Sequence, residues 1–348
     1  MVTRLKAAIL GATGMVGQKF AQLLEEHPWF EVTCIAASDR SVGKKYGIAS
    51  RWILTEPMPD GLSDLEVVSA EPKEVGDVEV VFSALPADVA VKTEEDFARA
   101  GKLVLSNASA HRMESDVPIL NPEVNAEHVQ LVEEQRRRRK WDGAIVTNPN
   151  CTSAVLTLSL KPVHDNFGLD KVIMTSLQAL SGAGYPGVSS LDIVDNVIPY
   201  IAKEEDKVQQ ESQKMLGSIE RAASFKISAS CNRVATRDGH FETVFLKTEK
   251  HGEPEDISEA MTSFKGEPQR LGLPTAPPHP VIVRPEEDRP QPRIDRMAGK
   301  GMSVVVGRLR KDSAIEGVKY VVLGHNLIRG AAGCSILNAE LLKAKGYA

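Results

Sequence analysis

Residues 5–17 of the chain read LKAAILGATGMVG, and this stretch decides the fold of everything around it. The apolar run from Ala7 to Leu10 predicts a buried strand, and the apolar spacing after it predicts a helix over residues 15–26. Between them, residues 11–17 carry the spacing G-x-x-G-x-x-G, a variant of the dinucleotide fingerprint. Glycines there permit a tight turn and let backbone N–H groups approach a pyrophosphate at the helix N-terminus. The alternative is that these glycines only make a turn.

Short apolar runs alternate with amphipathic stretches through the first 150 residues. Further strands are predicted at residues 32–37, 78–82, 103–105 and 144–147, with a helix at 89–100. This alternation predicts a parallel sheet with right-handed crossovers. We therefore predict an α/β chain that starts with a Rossmann-type dinucleotide-binding domain.

The pattern changes after Cys151. Strands with period-two alternation, typical of antiparallel sheets, are predicted at residues 226–235, 240–248, 302–310 and 318–323. Other predicted elements are helices at 152–164, 190–216 and 328–345, a strand at 172–178 and a Gly-rich turn at 181–187. The Pro-rich stretch 274–292 is interpreted as an ordered excursion at a subunit contact.

Composition excludes several classes of protein. Hydrophobic residues make up 42% and charged residues 26% of the 348 residues, as in soluble globular proteins. The balance of 42 Lys and Arg against 47 Asp and Glu gives a net charge of -5, which argues against phosphate-backbone binding as the main function. The basic block Arg136 to Lys140 is interpreted as a solvated helix end, with a nucleic-acid patch as the alternative.

The four cysteines are scattered without a CxxC pair, so neither a disulfide scaffold nor a Cys-rich zinc site is expected, and no metal is predicted. The start from Met1 to Lys6 resembles no signal peptide, and no run of about 18 apolar residues follows. We therefore expect a cytoplasmic protein.

The end of the second predicted strand bears on the choice of cofactor. An acidic residue there favours a free ribose hydroxyl, whereas cations and hydroxyls favour a 2′-phosphate. Asp39 argues for NAD, and Ser38, Arg40, Ser41 and Lys44 argue for NADP, which we predict. The alternative is that Arg40 and Lys44 are solvated loop charges. Ser83 and Leu85 end a later strand, where loops line the cofactor crevice.

Cys151 lies in Asn148-Pro149-Asn150-Cys151-Thr152, between a predicted strand and a predicted helix. Free N–H groups and the helix dipole at such a terminus stabilise a thiolate, so we predict a nucleophile. A buried inert thiol is the alternative, and it is the interpretation for Cys34, Cys231 and Cys334.

A thiolate beside a nicotinamide indicates a thioester that exchanges hydride with the cofactor. Histidine suits the accompanying acid/base work near neutral pH. The chain has eight histidines, and the position of His240 in Arg233 to His240 does not by itself distinguish it from a structural histidine.

Together these segments resemble the aspartate-semialdehyde dehydrogenase family, and most closely its archaeal and fungal branch. The resemblance runs over nearly the whole chain. The motifs that carry it are residues 11–17, 106–112 (SNASAHR), 148–152, 178–187 (QALSGAGYPG), 204–207 (EEDK), 233–240 and 326–333 (NLIRGAAG).

The resemblance implies a role for each matching position. Cys151 matches the nucleophile, His240 the acid/base and Gln178 the residue that orients the acyl group. The implied substrate contacts are Arg233 on the α-carboxylate, Glu204 on the α-ammonium, Arg112 and Lys207 on the phosphate, and Asn150 beside the nucleophile. A surface pair is the alternative for Glu204 and Lys207.

The cofactor contacts that the residues and the resemblance indicate are Gly11, Thr13, Gly14, Met15, Val16, Ser38, Arg40, Ser41, Ser83, Leu85, Ser181, Gly182, Gly184 and Asn326. The implied architecture is an NADP-binding domain over residues 1–150, completed by a C-terminal helix within 326–348. An α+β catalytic and dimerisation domain then covers residues 151–325.

The implied reaction is the reductive dephosphorylation of L-aspartyl 4-phosphate by NADPH, on the route to lysine, threonine and methionine. A homodimer or homotetramer acting on a small molecule is implied, with no nucleic-acid or membrane partner. The alternatives are a malonyl-CoA reductase of the related archaeal branch and a non-catalytic NADP-binding protein. The first lacks a substrate ammonium for Glu204, and the second needs neither Cys151 nor His240.

Overall fold

The structure is a computed structural model that describes residues 4–348. Residues 1–3, and with them the first half of the Met1 to Lys6 start, lie outside the described residues. The chain forms two compact units. The first unit comprises Met1–Leu120, Glu127–Asn148 and Ala331–Ala348, and the second comprises Asn121–Ala126 and Pro149–Gly330. These bounds differ from those of the predicted domains. Four stretches predicted for the first domain belong to the second unit, namely Asn121–Ala126, Pro149, Asn150 and residues 326–330.

The strands are β1 (Leu5–Leu10), β2 (Phe30–Ala37), β3 (Val67–Ser69), β4 (Val80–Ser83), β5 (Leu103–Ser106), β6 (Ala144–Thr147), β7 (Lys171–Gln178), β8 (Lys226–Arg233), β9 (His240–Lys247), β10 (Val281–Arg284), β11 (Val304–Asp312) and β12 (Gly317–Gly324).

The helices are α1 (Met15–Leu24), α2 (Tyr46–Ala49), α3 (Asp60–Ser63), α4 (Ala87–Arg99), α5 (Pro122–Asn125), α6 (Leu131–Arg139), α7 (Cys151–Phe167), α8 (Ser190–Ile193), α9 (Glu204–Leu216), α10 (Pro254–Ser263), α11 (Glu267–Leu271), α12 (Pro292–Asp295) and α13 (Gly333–Ala344). Short 3-10 turns cover Ala126–Gln130, Leu180–Ala183 and Ala298–Gly301, and a π-helical segment covers Ile328–Ala332.

The first unit is built on a six-stranded parallel sheet in the order β3-β2-β1-β4-β5-β6. This is the Rossmann order, so the predicted fold is confirmed. The order reverses between β1 and β4, and ligands of such sheets bind outside the carboxyl ends of the strands at that point. The glycine turn after β1 lies there.

The second unit holds a six-stranded sheet in the order β10-β11-β12-β9-β7-β8. The prediction of antiparallel pairing is only partly right, because β7 pairs with β8, and β10 with β11, in parallel. Alternate side chains of β7 and β9 are buried on one face, and α7 packs against β9, β11 and β12.

One other prediction needs correction. The helix predicted over residues 190–216 is interrupted between Ile193 and Glu204, where Lys203 adopts a left-handed conformation (φ 59°) before α9 begins. The Pro-rich stretch, interpreted as an ordered excursion, contains the edge strand β10, and its place at a subunit contact stays a prediction.

The basic block ends α6, as predicted, but Arg139 is not simply solvated. Its guanidinium donates hydrogen bonds to Asp116 and Glu114 and lies over the ring of Trp141. None of the helices within residues 4–348 has the length and apolar content needed to cross a bilayer.

Candidate active site

The N-terminus of α7 carries the predicted nucleophile. The Oδ1 atom of Asn150 accepts hydrogen bonds from the backbone N–H groups of Thr152 (2.9 Å) and Ser153 (3.2 Å), which caps the helix. Asparagine is among the preferred residues at this position. Cys151 is therefore the first helical residue, and its sulfur lies at the positive end of the helix dipole.

The structure brings His240 to Cys151. The Nε2 atom of His240 lies 3.1 Å from the Sγ atom of Cys151. His240 is fully buried at the start of β9, whereas Cys151 is partly exposed. The pKa of His240 is lowered to about 3, first by burial and then by the positive charges of Arg233 and His325. An imidazole in this position is neutral throughout the neutral pH range.

Arg233 ends β8 next to this pair. It is 6% exposed, and its Nη1 atom donates a hydrogen bond to the Ala179 carbonyl (2.7 Å). A Cβ atom on Gly182 would lie 2.8 Å from Arg233 Nη1 and 3.1 Å from His240 Cε1, so a side chain there would crowd both groups. Gln178 is in register with Arg233.

Two buried carboxylates accept hydrogen bonds from Asn150. Glu204 Oε1 accepts hydrogen bonds from Asn150 Nδ2 (2.9 Å) and from Thr152 Oγ1 (3.3 Å). Glu211 Oε2 accepts one from the Asn150 backbone N–H (2.6 Å). Glu204 is therefore part of a buried cluster and not of a surface pair. Lys207 follows Glu204 by three residues on α9 and is partly exposed.

A second polar row lies beneath the first, two residues deeper on each strand. Ser176 is in register with Cys231 on one side and with Glu242 on the other, and all three are fully buried. Ser176 Oγ accepts a hydrogen bond from Gln178 Nε2 (3.1 Å). The carboxylate oxygens of Glu242 have no hydrogen-bond partner among residues 4–348. Burial, together with the charge of Glu204, raises the pKa of Glu242 well above its usual range.

Sequence reasoning missed Glu211, Ser176 and Glu242. The signal for the two strand residues was their position: Ser176 precedes Gln178 by two, and Glu242 follows His240 by two, so each shares a face of the strand with a predicted site residue. Nothing in the local sequence distinguished Glu211.

Three predicted cofactor positions of the second unit also lie close together. Asn326 Nδ2 donates a hydrogen bond to Ser181 Oγ (2.8 Å), and Asn326 Oδ1 accepts one from the Gly239 N–H (2.8 Å). Gly184 has a φ of 72°, which favours glycine.

Gly330 packs close to the predicted nucleophile. A Cβ atom on Gly330 would lie 2.6 Å from Cys151 Cβ.

The glycine turn of the first unit fits a dinucleotide. Gly11 has a φ of 72°, and a Cβ atom there would lie 2.6 Å from the Ala84 carbonyl oxygen at the end of β4. Gly14 precedes α1, and no side chain within residues 4–348 caps that helix. The N–H groups of its first turn are therefore available to a pyrophosphate. Thr13, Met15 and Val16 are partly exposed in the same loop and first turn.

The remaining cofactor positions differ in exposure. Ser38 and Arg40 are exposed in a turn after β2, closed by a hydrogen bond from the Ser41 N–H to the Ser38 carbonyl (2.8 Å). Leu85 is partly buried. Ser83 is fully buried, and its hydroxyl donates to Glu94 Oε1 (2.6 Å), so this side chain is engaged within the unit.

Arg112 is buried in the first unit, where its Nη2 atom donates a hydrogen bond to the Asn107 carbonyl (2.9 Å). Its predicted role on the phosphate stays a prediction, as does that of Lys207.

Known proteins resemble this chain in both units. Residues 6–132 match the family model of the semialdehyde dehydrogenase NAD binding domain, and residues 160–329 match that of the semialdehyde dehydrogenase dimerisation domain. The chain therefore has a nicotinamide-dinucleotide-binding domain.

Curated relatives match over nearly the full length. An aspartate-semialdehyde dehydrogenase of Archaeoglobus fulgidus is 56% identical over 97% of this chain and 98% of its own. A malonyl CoA reductase (NADP) of Metallosphaera sedula is 44% identical over 99% and 98%.

The fold of this chain also matches that of a solved structure. A crystal structure of aspartate semialdehyde dehydrogenase with NADP from Candida albicans superimposes with a TM-score of 0.92 at 42% identity, covering 99% of this chain and 100% of that chain. With this fold, this sequence identity and a cysteine–histidine pair at the N-terminus of α7, the chain belongs to the aspartate-semialdehyde dehydrogenase family.

Proposed function

We propose that the chain catalyses the NADPH-dependent reductive dephosphorylation of L-aspartyl 4-phosphate to L-aspartate 4-semialdehyde and phosphate, a step toward lysine, threonine and methionine. The observation that carries the proposal is the 3.1 Å approach of His240 Nε2 to Cys151 Sγ at a capped helix N-terminus. A thiolate in this position is a nucleophile suited to acyl transfer.

The first unit would hold the cofactor. The glycine turn and the uncapped first turn of α1 suit its pyrophosphate, and Ser38, Arg40 and Ser41 suit a 2′-phosphate. NADPH, when bound, supplies the hydride that reduces the acyl group. Ser181, Gly182, Gly184 and Asn326 of the second unit stay predicted cofactor contacts.

Cys151 begins the proposed reaction. Its thiolate attacks the C4 carbonyl of the substrate, the C–O bond to phosphate breaks, and the acyl group remains on sulfur as a thioester. His240 faces the oxygen of the reacting carbonyl, and Gln178, held by Ser176, orients the acyl group. After reduction the C–S bond breaks, which releases the aldehyde and returns the thiolate.

The charged residues select the substrate. Arg233 offers a planar pair of donors to the α-carboxylate. Glu204, buried beside Asn150, suits the α-ammonium group, and Arg112 and Lys207 suit the phosphate. Malonyl-CoA carries no ammonium group, so a buried acidic residue at position 204 favours the aspartyl substrate.

We also propose that the chain works as a homodimer through the second unit. Ile173 (44% exposed) and Leu177 (39% exposed) lie on the outward face of β7, where a second copy would bury them. Sedimentation velocity checks this, and a monomer at micromolar concentration would contradict it. A tetramer, the absence of nucleic-acid and membrane partners, and a cytoplasmic location stay predictions.

The experiment that tests the activity compares two substrates in one preparation. NADP reduction by aspartate semialdehyde should depend on added phosphate, and NADPH oxidation by malonyl-CoA should be slower by at least about 100-fold in kcat/KM. Equal rates would favour the reductase alternative. Cofactor binding without turnover of either substrate would favour a non-catalytic protein.

A further inference from the structure

The two ring nitrogens of His240 have different neighbours. Nε2 lies 3.1 Å from the sulfur of Cys151. Nδ1 accepts a hydrogen bond from the backbone N–H of Ala179, with a nitrogen–nitrogen distance of 3.1 Å. The ring is fully buried, so water has no access to either nitrogen from the bulk.

This arrangement selects one tautomer. A backbone N–H group can only donate, so Nδ1 must present its lone pair to Ala179. A neutral ring then carries its hydrogen on Nε2 and points it at the sulfur. An imidazolium would carry hydrogen on Nδ1 as well, and two N–H groups would face each other across 3.1 Å.

The surrounding backbone fixes the direction of the Ala179 N–H group. Ala179 is fully buried directly after β7, and its carbonyl accepts the hydrogen bond from Arg233. The next backbone N–H groups, of Leu180 and Ser181, donate to the carbonyls of Thr236 and Arg237. The segment is therefore tied on both sides of the peptide that contacts His240.

The charges around the ring act in the same direction. Arg233 on β8 and His325 after β12 both oppose a positive charge on His240, and burial opposes it more strongly. Glu242 shares the buried face of β9, but burial, together with the charge of Glu204, raises its pKa well above the usual range, which disfavours the negative charge that would support an imidazolium. Cys151 also faces the ring. Burial lowers the pKa of Arg233, and a negative charge on Cys151 would oppose that shift.

We propose that Ala179 is a positioning residue whose backbone N–H holds His240 as the uncharged Nε2–H tautomer. His240 then stabilises the oxygen of the reacting carbonyl as a hydrogen-bond donor and does not carry a proton between groups. This rests on the proposed function and replaces the acid/base role that the family resemblance implies for His240 with the role of a hydrogen-bond donor.

The chemistry balances without a proton moved by His240. Attack by the thiolate forms a C–S bond and expels phosphate, and the one proton that the overall reaction consumes is taken from solvent by that phosphate. Hydride addition forms a C–H bond and moves the carbonyl electron pair onto oxygen. Collapse re-forms C=O, breaks C–S and returns the thiolate. The oxygen needs only a donor while it is negative, as when a neutral imidazole polarises a carbonyl.

Ring ¹⁵N NMR of the resting enzyme tests the proposal directly. Wild-type protein and a His240→Asn variant are both labelled with ¹⁵N-histidine. The two ring signals of His240 are those present in the wild-type spectrum and absent from the spectrum of the variant. We expect the signals of a neutral Nε2–H tautomer, unchanged from about pH 5.5 to about pH 8.5, a range over which free histidine in a reference sample changes its charge. An imidazolium, or an Nδ1–H tautomer, at His240 would overturn the proposal.

Alkylation of Cys151 by iodoacetamide gives a second readout that needs no variant and no substrate. If the histidine stays neutral, the rate rises with pH through one ionisation and then stays level. A thiolate–imidazolium pair would add a second ionisation at high pH, and that result would contradict the proposal. Because neither measurement involves turnover, both stay informative if the enzyme acts on a different acyl substrate.

Discussion

The sulfur of Cys151 and the guanidinium of Arg233 are the two side-chain groups that single substitutions test most directly. Both belong to the second unit and lie beside His240, but their proposed roles concern different parts of the substrate. Cys151 is proposed to form the covalent bond, and Arg233 is proposed to bind a carboxylate that does not react. Loss of each should therefore give a different kinetic signature.

Cys151→Ala should abolish turnover with aspartate semialdehyde and leave NADP affinity within about twofold of wild type, because the proposed cofactor contacts do not include the sulfur. Steady-state rates and fluorescence titration of NADP measure the two quantities. Cys34→Ala, which removes a buried thiol of the first unit, serves as the control and should retain turnover. Undiminished activity of the Cys151 variant would remove the acyl-enzyme proposal.

Arg233→Lys should raise the KM for aspartate semialdehyde about 10- to 100-fold and change that for NADP little, since a point charge cannot replace two parallel donors. Initial-rate kinetics with each substrate varied in turn measure this. The matched control is Arg237→Lys, four residues on and largely exposed. A larger effect on NADP than on the semialdehyde would argue against the carboxylate role.

His240→Ala should lower kcat on the order of 10²- to 10³-fold, the cost of one hydrogen-bond donor to a developing oxyanion. The loss should be similar at acid and alkaline pH, because the pKa of His240 lies at about 3, below the assay range. Rates across the pH range measure it. If the rate of the wild-type enzyme falls at acid pH and this fall is absent from the His240→Ala variant alone, the expectation is contradicted.

At the scale of elements, two close approaches of the backbone shape the site. The turn between β1 and α1 passes within contact of the end of β4 at Gly11, and the π-helical segment passes against the start of α7 at Gly330. Both positions exclude a side chain for reasons of space. Each offers a substitution that adds one methyl group and removes no polar side chain.

Gly11→Ala should weaken NADPH binding by about tenfold or more, because the new methyl group would displace the turn that suits the pyrophosphate. Gly76→Ala is a matched control outside the proposed cofactor contacts. Gly76 has a similar φ (70° against 72°), but a Cβ atom there meets nothing within 4 Å. Isothermal titration with NADPH measures both variants. Equal losses would show that backbone strain, and not the approach to β4, decides the effect.

Gly330→Ala should lower kcat by about 10- to 100-fold at nearly unchanged NADP affinity, since a methyl group 2.6 Å from Cys151 Cβ must shift the nucleophile. Gly61→Ala, in open space with ordinary backbone angles, is the control and should behave as wild type. Stopped-flow and steady-state rates give the comparison. A fully active Gly330→Ala enzyme would mean that α7 adjusts without cost.

At the scale of the whole molecule, the buried carboxyl of Glu242 links stability to pH. Its pKa is raised in the folded state, so the folded protein holds this proton more tightly than the unfolded chain. That contribution is complete below the ordinary glutamate pKa of about 4.3 and is lost as pH rises through the folded value. Glu242 therefore makes the protein less stable at alkaline pH.

Glu242→Gln should remove this dependence. The difference in Tm between the variant and wild type should grow in favour of the variant from about pH 5 to about pH 8.5, which thermal melts in matched buffers measure. Glu255→Gln, at an exposed position of α10, should show no such trend. A difference that shrinks with pH would mean that the carboxyl is ionised and paired in the folded protein.

Much of the fold was predictable because its signals are local. The apolar runs of β1, β2, β4, β5 and β6, the glycine turn and the start of α7 lie within a few residues of the groups that define them. The interruption of the 190–216 region and the parallel pairing of β7 with β8 were not predictable in this way, because they depend on contacts with distant segments.

The sequence by itself determined the alternation of strands and helices in the first 150 residues, the glycine turn and the position of Cys151 at a helix N-terminus, since each follows from spacing between neighbours along the chain. Only the tertiary structure decided which polar groups meet. Strand register places Gln178 beside Arg233 and Ser176 beside Glu242, and it brings a backbone N–H from 61 residues away onto Nδ1 of His240. The physical reason is that a hydrogen bond has a fixed direction and short reach, so it is set by the packing of strands and not by the order of residues.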